Sequence, residues 1–538
     1  MAALPLARRW TLHLPAPMTE QLTGHLFPGD GDEHGAVIGA GVVETGRGTR
    51  LLGRRLYLAR DGVDYVPGRR GYRMLAATFV RDRVLDCDHE GLAYLAVHCH
   101  GGASYVAFSG DDLASHERGY PALLDILEHQ PVGGLVLARD SLAGDIWLQE
   151  GNRVELTSAV VHGEPTRVLH PSPPPAPLAD LTYDRQSRLF GDRGQAILAG
   201  QKVGIIGVGG AGSLINEYLA RVGVGHIVSI DPDLIETSNL PRVVGSRRRD
   251  ARPWLTDPTR PAFIRRIGQQ LATPKVKVAR RVARQANPQI RFDAVEGDVT
   301  HDDVARSLID CDYLFLAADS MQARLVVNAV VHQYIIPAVQ VGAKVQLDRD
   351  GNVTDVFSVV RPLTPGLSCL WCNELIKPDK LQEEALTPEQ HRQQRYVDDA
   401  DIHAPSVITL NAVAAAHAVD DYLMSTVGLL SAPHSERWTR FHPTASETTG
   451  RVIREIPRSD NDCPECGTNG RLGLGAGQRL PVRIASKVRQ SQRNGRRWKE
   501  SLHPGVAVRS KRIGRRMPWW FFRSSFVDRR PPILVCQR

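Results

Sequence analysis

Residues 201–245, QKVGIIGVGGAGSLINEYLARVGVGHIVSIDPDLIETSNLPRVVG, decide the fold. An apolar strand leads into a glycine-rich turn, a helix follows, and a second strand ends on Asp231. This order places the phosphates of a nucleotide on a helix N-terminus and its sugar on a carboxylate. Asn239 follows eight residues after the acid, in I-E-T-S-N-L-P-R, and this continuation favours ATP over a redox dinucleotide.

The segment HPSPPPAPLAD, residues 170–180, is typical of a semi-rigid linker. Before it, AVIGAGVVE, MLAATFV, LAYLAVHCH and GGLVLARD are short apolar runs that predict an α/β sheet domain. After it, strands such as VGIIGVG and DYLFLAAD alternate with helices, which predicts a doubly wound, Rossmann-like sheet. The predicted domains are therefore 1–168 and 182–470, joined by a linker at 169–181 and followed by a tail at 471–538.

The charge is divided unevenly along the chain. The net charge is +8, but residues 471–538 hold 18 Lys/Arg against two acidic residues, so the preceding 470 residues carry a net −8. This composition favours a solvated, disordered tail over a nucleic-acid arm. The alternative is a non-enzymatic scaffold that binds nucleic acid through the tail. The chain shows no signal peptide and no run of about 18 apolar residues, so we expect a cytoplasmic protein that does not enter membranes.

The residues around the glycine turn suit ATP chemistry. We expect Asp231 to bind the ribose hydroxyls, and Asn239, Arg242 and Lys275 to contact the phosphates. Asp319 follows the strand DYLFLAA and is a predicted magnesium ligand. The glycines that allow close backbone approach are Gly207, Gly209, Gly210 and Gly212.

Several spaced motifs in residues 183–470 resemble the ThiF/MoeB/HesA group of ubiquitin-activating-like adenylyltransferases. They are Y-D-R-Q at 183–186, the G-x-G-G-x-G turn, D-x-D at 231–233, S-N-L-x-R at 238–242, P-K at 274–275 and A-D at 318–319. The resemblance implies that ATP and Mg²⁺ adenylate the C-terminal glycine of a ubiquitin-like protein ending in Gly-Gly. It also implies a homodimer, in which Arg185 reaches into the partner's site.

Two positions depart from that family's pattern. Val243 stands where glutamine is usual, and Ser320 stands where asparagine is common. Either change could alter the phosphate geometry. The alternative is a Rossmann-like fold with a degenerate or different nucleotide site.

Two C-x-x-C pairs, about 90 residues apart, form a set suited to tetrahedral zinc. Family members carry such a zinc late in the adenylation domain, so we interpret it as structural. The alternative is redox-active or unpaired core cysteines. No cysteine lies between the pairs, and this favours adenylate formation over a thioester handover. The four cysteines are Cys369, Cys372, Cys463 and Cys466.

The N-terminal stretch LAYLAVHCHGGASYVAFSGDD carries a second candidate metal site. His98 and His100 project from the same face of a strand, and Asp112 is brought back by the next turn to complete a three-ligand zinc site with one open position. Glu33, which precedes a hydrophobic strand, is the predicted general base. These residue types indicate a metal-dependent hydrolase.

These residues resemble the JAB/JAMM metalloproteases, which cut after the C-terminal glycine of ubiquitin-like proteins. By that resemblance Ser109 stabilises the oxyanion. Gly101 replaces a usual proline, and the spacing from His100 to Ser109 is one residue longer than the commonest form. An inactive scaffold of the same fold is the alternative.

Together the two halves predict a bifunctional enzyme of a ubiquitin-like pathway, which activates the carrier's C-terminus and processes or deconjugates the carrier with zinc. The alternative is activation of a sulfur-carrier protein for cofactor or amino-acid biosynthesis, with trimming of the carrier.

Overall fold

Two large β-sheets, each packed against helices, carry the core of the molecule. The computed structural model describes residues 9–68, 73–348, 352–386, 405–431, 436–446 and 450–483. These residues belong to one compact unit, Met1–Ala485. The architecture confirms the predicted mixed α/β class.

The N-terminal sheet has nine strands in the order β7-β6-β5-β4-β2-β3-β1-β8-β9. Its centre is almost wholly apolar, and β2 and β5 are buried along most of their length. The strands are β1 (Arg9–Pro15), β2 (Gly35–Thr45), β3 (Gly48–Leu58), β4 (Ala93–Cys99), β5 (Val132–Leu137), β6 (Leu142–Trp147), β7 (Arg153–Glu155), β8 (Ser158–His162) and β9 (Arg167–Leu169).

Three helices accompany this sheet: α1 (Ala16–Leu26), α2 (Ala77–Glu90) and α3 (Gly110–Ile126). The run MLAATFV, read from the sequence as a strand-like segment, instead leads into α2, so that prediction is wrong. The helix buries Phe79, Val84 and Cys87. Seven residues are too few to reveal this longer helical repeat.

The C-terminal sheet has eight strands in the order β12-β11-β10-β13-β14-β15-β16-β17. The first five are parallel and the last three pair antiparallel. Chain order reverses between β10 and β13, as in a Rossmann-like sheet. The strands are β10 (Lys202–Ile206), β11 (His226–Ile230), β12 (Arg291–Val295), β13 (Tyr313–Leu316), β14 (Ala338–Leu347), β15 (Val353–Leu363), β16 (Trp438–Phe441) and β17 (Val452–Glu455).

Helices pack on both faces of the C-terminal sheet. Alternate residues of β13 point into two separate cores: Phe315 packs with the helices α5, α9 and α13, and Leu316 packs with α11. The helices of this half are α4 (Asp184–Gly200), α5 (Gly210–Arg221), α6 (Arg248–Ala251), α7 (Pro253–Thr256), α8 (Ala262–Gln270), α9 (Lys275–Ala286), α10 (Asp302–Arg306), α11 (Met321–Gln333), α12 (Pro378–Ala385) and α13 (Ile408–Thr426). Short 3₁₀ turns lie at Gln149–Gly151, Leu181–Tyr183, Thr237–Asn239 and Gly475–Gly477.

The two sheets share packing. Val43 and Leu52 of the N-terminal sheet belong to the same apolar core as α11. Arg437, which is buried, forms ion pairs with Asp421 and with Glu164, which follows β8. The intervening residues 171–180 contain no helix or strand, and residues 172–178 are exposed.

Ordered structure extends past the predicted tail boundary at residue 470. Leu472 and Leu480 are buried, and residues 471–483 are described. The basic residues that motivated the tail prediction are concentrated later, at 484–538, and this segment lies outside the described residues. Within the part of the chain that the structure describes, no helix is long and apolar enough to cross a membrane.

Candidate functional site

The glycine turn connects β10 to the start of α5. Gly207 has a φ of 87°, a left-handed conformation, and a side chain there would come within 3.0 Å of Ala317 and Ala318. A Cβ on Gly212 would lie 1.9 Å from the carbonyl oxygen of Gly207. The turn is therefore too tight for side chains at these two positions, and α5 starts directly at its end with unpaired backbone N–H groups.

Asp231, directly after β11, is tied to the same turn. Its carboxylate accepts hydrogen bonds from the backbone N–H of Val208 (2.8 Å) and of Asp233 (2.9 Å). Burial raises the pKa of Asp231, although the positive charge of Lys275 acts in the opposite direction. Each carboxylate oxygen keeps a free lone pair, so the group can still accept a hydroxyl.

A cavity of about 1,220 Å³ opens beside Asp231. Asn239, Arg242 and Lys275 all line it. Asn239 is buried, and its side-chain oxygen accepts the backbone N–H of Glu236 (3.1 Å), which fixes the amide. The structure thus brings three of the predicted phosphate-contacting residues to one cavity.

Lys275 is the first residue of α9, and its side chain is only 12% exposed. Its Nζ lies 2.7 Å from a carboxylate oxygen of Asp233 and 3.9 Å from one of Asp231. These two carboxylates hold the ammonium group at the cavity. Sequence reasoning listed Asp233 only as part of the D-x-D motif and did not predict this contact.

Asp319 lies elsewhere on the carboxyl edge. It is exposed, three residues beyond β13, and does not line the cavity. The two residues before Asp319, Ala317 and Ala318, do lie next to the glycine turn, because a Cβ on Gly207 would come within 3.0 Å of their backbone. Arg185, on α4, is exposed and does not line the cavity either. Asp319 and Arg185 thus do not line the cavity that Asn239, Arg242 and Lys275 share, and neither do Asp231 and the four glycines of the turn.

The rest of the cavity wall comes from the start of α13 and from the segment that includes α7 and α8. Residues 247–273 interrupt the strand and helix pattern with charges, prolines and Trp254, which indicates an insertion over this edge, whereas the start of α13 gives no such signal. Asn411 of α13 packs so closely on the turn that a Cβ on Gly210 would lie 2.3 Å from its amide nitrogen. The wall residues are Ala251, Thr256, Gln269, Ala272, Ser406, Val407 and Ile408.

The four cysteines of the two C-x-x-C pairs meet, with all four sulfur atoms within 4.8 Å of one another. Cys372 and Cys466 are 3.6 Å apart, and all four are free thiols. Ligands 2.3 Å from a tetrahedral zinc are about 3.8 Å from each other, whereas disulfide sulfurs are about 2.05 Å apart. The arrangement fits a thiolate metal site and does not fit disulfides.

The second predicted metal site also assembles. The Nε2 atoms of His98 and His100 are 3.2 Å apart, and they lie 3.5 and 3.4 Å from the two carboxylate oxygens of Asp112. Tetrahedral zinc with N and O ligands requires ligand separations of about 3.3 Å. Burial acts to raise the pKa of Asp112, but hydrogen bonds from His98 and Ser109 outweigh it and hold that pKa well below its ordinary value.

Ser109 and Asp112 also have a structural role at the start of α3. The Ser109 hydroxyl and backbone N–H both donate to Asp112 (2.7 Å each), and the backbone N–H of Asp112 donates to Ser109. This is a helix capping box, which the S-x-x-D spacing could have predicted. Glu33 lies two residues before Gly35, the antiparallel partner of His98 on β4. The half-buried Glu33 therefore approaches the strand end that carries the histidines.

The glycine turn, the acid after β11 and the cationic cavity define a nucleotide-binding α/β protein of the Rossmann-like type. The chain belongs to the ThiF family, whose family model matches residues 183–465. The match leaves out the N-terminal sheet, so the metalloprotease resemblance stays a prediction.

Two relatives place the chain within the family. It is 31% identical to the SAMP-activating enzyme E1 of Haloferax volcanii over 161 residues, which are 29% of this chain and 52% of that protein. It is 27% identical to the sulfur carrier protein ThiS adenylyltransferase of Bacillus subtilis over 288 residues, which are 53% of this chain and 71% of that protein. The chain thus spans about half the length of the first of these relatives.

A solved structure of Escherichia coli MccB with ATP is similar over 55% of this chain and 76% of that chain. The sequence identity is 19% and the TM-score is 0.39. That TM-score is too low to support a conclusion about this molecule.

Proposed function

We propose that the chain uses ATP to adenylate the C-terminal carboxylate of a small carrier protein. The observation that carries this proposal is the convergence of Asn239, Arg242 and Lys275 on one cavity beside the glycine turn. Such a cavity offers fixed positive charge and amide hydrogen bonds to a triphosphate. The cavity begins directly after the carboxyl end of β11, and ligands of such sheets bind outside the carboxyl ends of the strands.

The proposed step is displacement at phosphorus. A carboxylate oxygen of the carrier attacks the α-phosphorus of ATP, the bond between the α- and β-phosphates breaks, and pyrophosphate leaves. Lys275 and Arg242 offset the charge that develops on the phosphate oxygens, and Asp231 orients the ribose. Asp319 is the proposed Mg²⁺ ligand, and the ion, when bound, would neutralise further charge on the triphosphate.

The proposed substrate is a ubiquitin-like or sulfur-carrier protein that ends in Gly-Gly. One relative is named for the activation of SAMP and another for the sulfur carrier ThiS. No cysteine lies between Cys372 and Cys463, which favours transfer of the adenylate to an external acceptor over an internal thioester there. We also propose a homodimer, in which the exposed Arg185 completes the partner's site.

ATP–pyrophosphate exchange tests the adenylation proposal. A neighbouring gene for a small protein ending in Gly-Gly would identify the carrier to use, and the same carrier without its two glycines would be the negative control. We expect Asp319→Ala to abolish exchange. Asp302→Ala is the matched control, since that side chain is half exposed and pairs only locally with Arg306. Full exchange in Asp319→Ala would contradict the assigned site.

The fate of the carrier separates the two pathways. Mass spectrometry that detects a carrier thiocarboxylate supports sulfur delivery. Detection of carrier linked to lysine side chains supports a ubiquitin-like conjugation pathway instead.

We propose a second activity at His98, His100 and Asp112: zinc-dependent cleavage after the carrier's terminal glycine. The ligand spacing of 3.2–3.5 Å favours it. In this proposal Glu33 moves the protons, Ser109 helps to stabilise the oxyanion, and zinc, when bound, would supply Lewis-acid chemistry.

A carrier with a C-terminal coumarin amide tests the protease proposal. We expect His98→Ala to lose both zinc and turnover, and Glu33→Gln to keep zinc while losing turnover. A zinc-loaded wild-type protein that leaves this substrate intact would instead support the inactive-scaffold alternative.

A further inference from the structure

Residues 463–475, here called the joint loop, run from the cysteine cluster to the N-terminal sheet. The loop begins with Cys463 and Cys466, two of the four clustered thiols. It ends at Gly475, where an added Cβ would lie 2.4 Å from the side chain of Val43 on β2. One short segment therefore connects a candidate metal site with the other sheet.

The first part of the loop is folded tightly around Cys463. The backbone N–H of Gly467 donates to the Cys463 carbonyl oxygen (2.9 Å). A Cβ on Gly470 would lie 2.4 Å from that same oxygen, and a Cβ on Gly467 would lie 2.1 Å from the carbonyl oxygen of Asn461. Because the backbone is packed this closely, the position of residues 467–470 depends on where Cys463 is held.

The middle of the loop receives two arginines from β3. Arg54 donates to the carbonyl oxygens of Gly470 (3.1 Å) and Leu472 (2.8 Å). Arg55 donates to the carbonyl oxygen of Thr468 (3.1 Å). Arg54 is buried, so a lost acceptor would leave part of a guanidinium group unpaired in the interior.

The end of the loop touches the N-terminal sheet through its backbone. A Cβ on Gly41 would lie 2.4 Å from the carbonyl oxygen of Gly473, and one on Gly473 would lie 2.9 Å from the carbonyl oxygen of Gly53. The backbone N–H of Gly473 donates to His332 of α11 (3.0 Å). The loop is therefore packed between β2 and β3 on one side and α11 on the other.

A second set of hydrogen bonds between the two sheets does not involve the four clustered cysteines. Arg50 of β3 donates to the carbonyl oxygens of Ile309 (3.2 Å), Asp310 (3.1 Å) and Cys311 (3.0 Å), which precede β13. Loss of the joint loop should therefore loosen the N-terminal sheet without releasing it completely.

We propose that a metal ion held by the four cysteines fixes the joint loop and thereby docks the N-terminal sheet against the C-terminal sheet. The ion would link the two cysteines of the joint loop, Cys463 and Cys466, to Cys369 and Cys372. The loop would then hold in fixed positions the carbonyl oxygens that accept hydrogen bonds from Arg54 and Arg55. Docking and metal binding are then thermodynamically coupled, and each strengthens the other by the same factor.

A cleavable linker measures the docking. A protease site placed in the exposed residues 172–178 of the full-length chain allows the N-terminal fragment to be cut free and its dissociation rate to be measured by surface plasmon resonance. With Zn²⁺ bound we expect slow dissociation. After chelation, or in a Cys463→Ser/Cys466→Ser variant, we expect dissociation at least about fivefold faster, the lower end of common coupling factors.

Metal affinity gives the reciprocal measurement without any change to the cysteines. Competition between Co²⁺, detected through its thiolate absorption, and Zn²⁺ reports the affinity of the cluster. We expect Arg54→Ala/Arg55→Ala to weaken metal binding, because the joint loop then loses the guanidinium groups that hold its carbonyl oxygens. Arg60→Ala is the control, because this exposed arginine pairs with Asp64, also in the N-terminal half.

Two results would overturn the proposal. One is an unchanged dissociation rate after chelation, with circular dichroism showing a folded protein. The other is a metal affinity of the Arg54→Ala/Arg55→Ala variant equal to that of the wild type. This measurement does not depend on a folded metal-free protein, so it would overturn the proposal even if chelation unfolds the chain.

Discussion

Replacing Gly212 by alanine tests whether the glycine turn is as tight as the structure shows. The new Cβ would lie 1.9 Å from the carbonyl oxygen of Gly207, whereas ordinary contact begins at about 3.4 Å. The two segments would have to separate by roughly 1.5 Å. Gly207 cannot retreat easily, because the backbone of Ala317 lies 3.0 Å from where a Cβ of Gly207 would be, and the Gly207 N–H donates to the carbonyl oxygen of Ile230. We therefore expect a cost near the upper end of overpacking, about 3 kcal/mol.

Gly200→Ala is the control. This exposed glycine is the last residue of α4, and nothing lies within 4 Å of a Cβ at this position. Urea unfolding without nucleotide, followed by circular dichroism, should show a large loss of stability for Gly212→Ala and no loss for Gly200→Ala. Equal stability of the two variants would refute the reasoning.

Three further substitutions test other parts of the molecule. Lys275→Ala should slow pyrophosphate exchange about 100-fold by removing a fixed cation from the cavity, while Lys277→Ala, two residues along on the surface, should leave it unchanged. Burial acts to raise the pKa of Asp250, but the hydrogen bonds and the positive charge of Arg281 outweigh it, so the pKa of Asp250 is lowered. Asp250→Asn should thus cost about 2 kcal/mol at neutral pH, and thermal unfolding should show the gap closing as the pH falls below about 4. Arg437→Ala should cost about 3–5 kcal/mol in urea unfolding, because it strands two buried carboxylates, whereas exposed Arg454→Ala should cost little.

The features that the sequence predicted well are local ones. A buried strand, glycines at fixed spacing and an acid after the next strand constrain one another within about 30 residues. The structure accordingly starts α5 at Gly210, within the glycine-rich turn. Spacing also predicted two candidate metal-ligand sets, since histidines two apart share a strand face and C-x-x-C pairs chelate, and the structure brings the side chains of each set together.

The part of the cavity wall that the start of α13 supplies could not be predicted in the same way. Ser406 and Ile408 follow a polar stretch and begin an apolar helix, so their residue types indicate only core packing. They reach the cavity because α13 packs against α5, and Asn411 contacts Gly210 as a result. Such contacts depend on how distant segments cross, and this leaves no periodic signal in the chain.

The contacts between the two sheets are even harder to predict from the sequence than the cavity wall. The proline-rich segment at 170–180 predicts a linker between two domains, and residues 171–180 contain no helix or strand. The contacts that join the two sheets beyond this segment include arginine side chains on backbone carbonyl oxygens, as between Arg54 and Leu472. Any residue supplies a carbonyl, so the acceptor half of each contact is invisible in sequence. In the sequence the donors, on β3, look like ordinary surface arginines, and only the placement of the loop from Cys463 shows what they bind. For this reason a cysteine cluster that the sequence suggests is purely local is, in our proposal, what fixes the position of the N-terminal sheet.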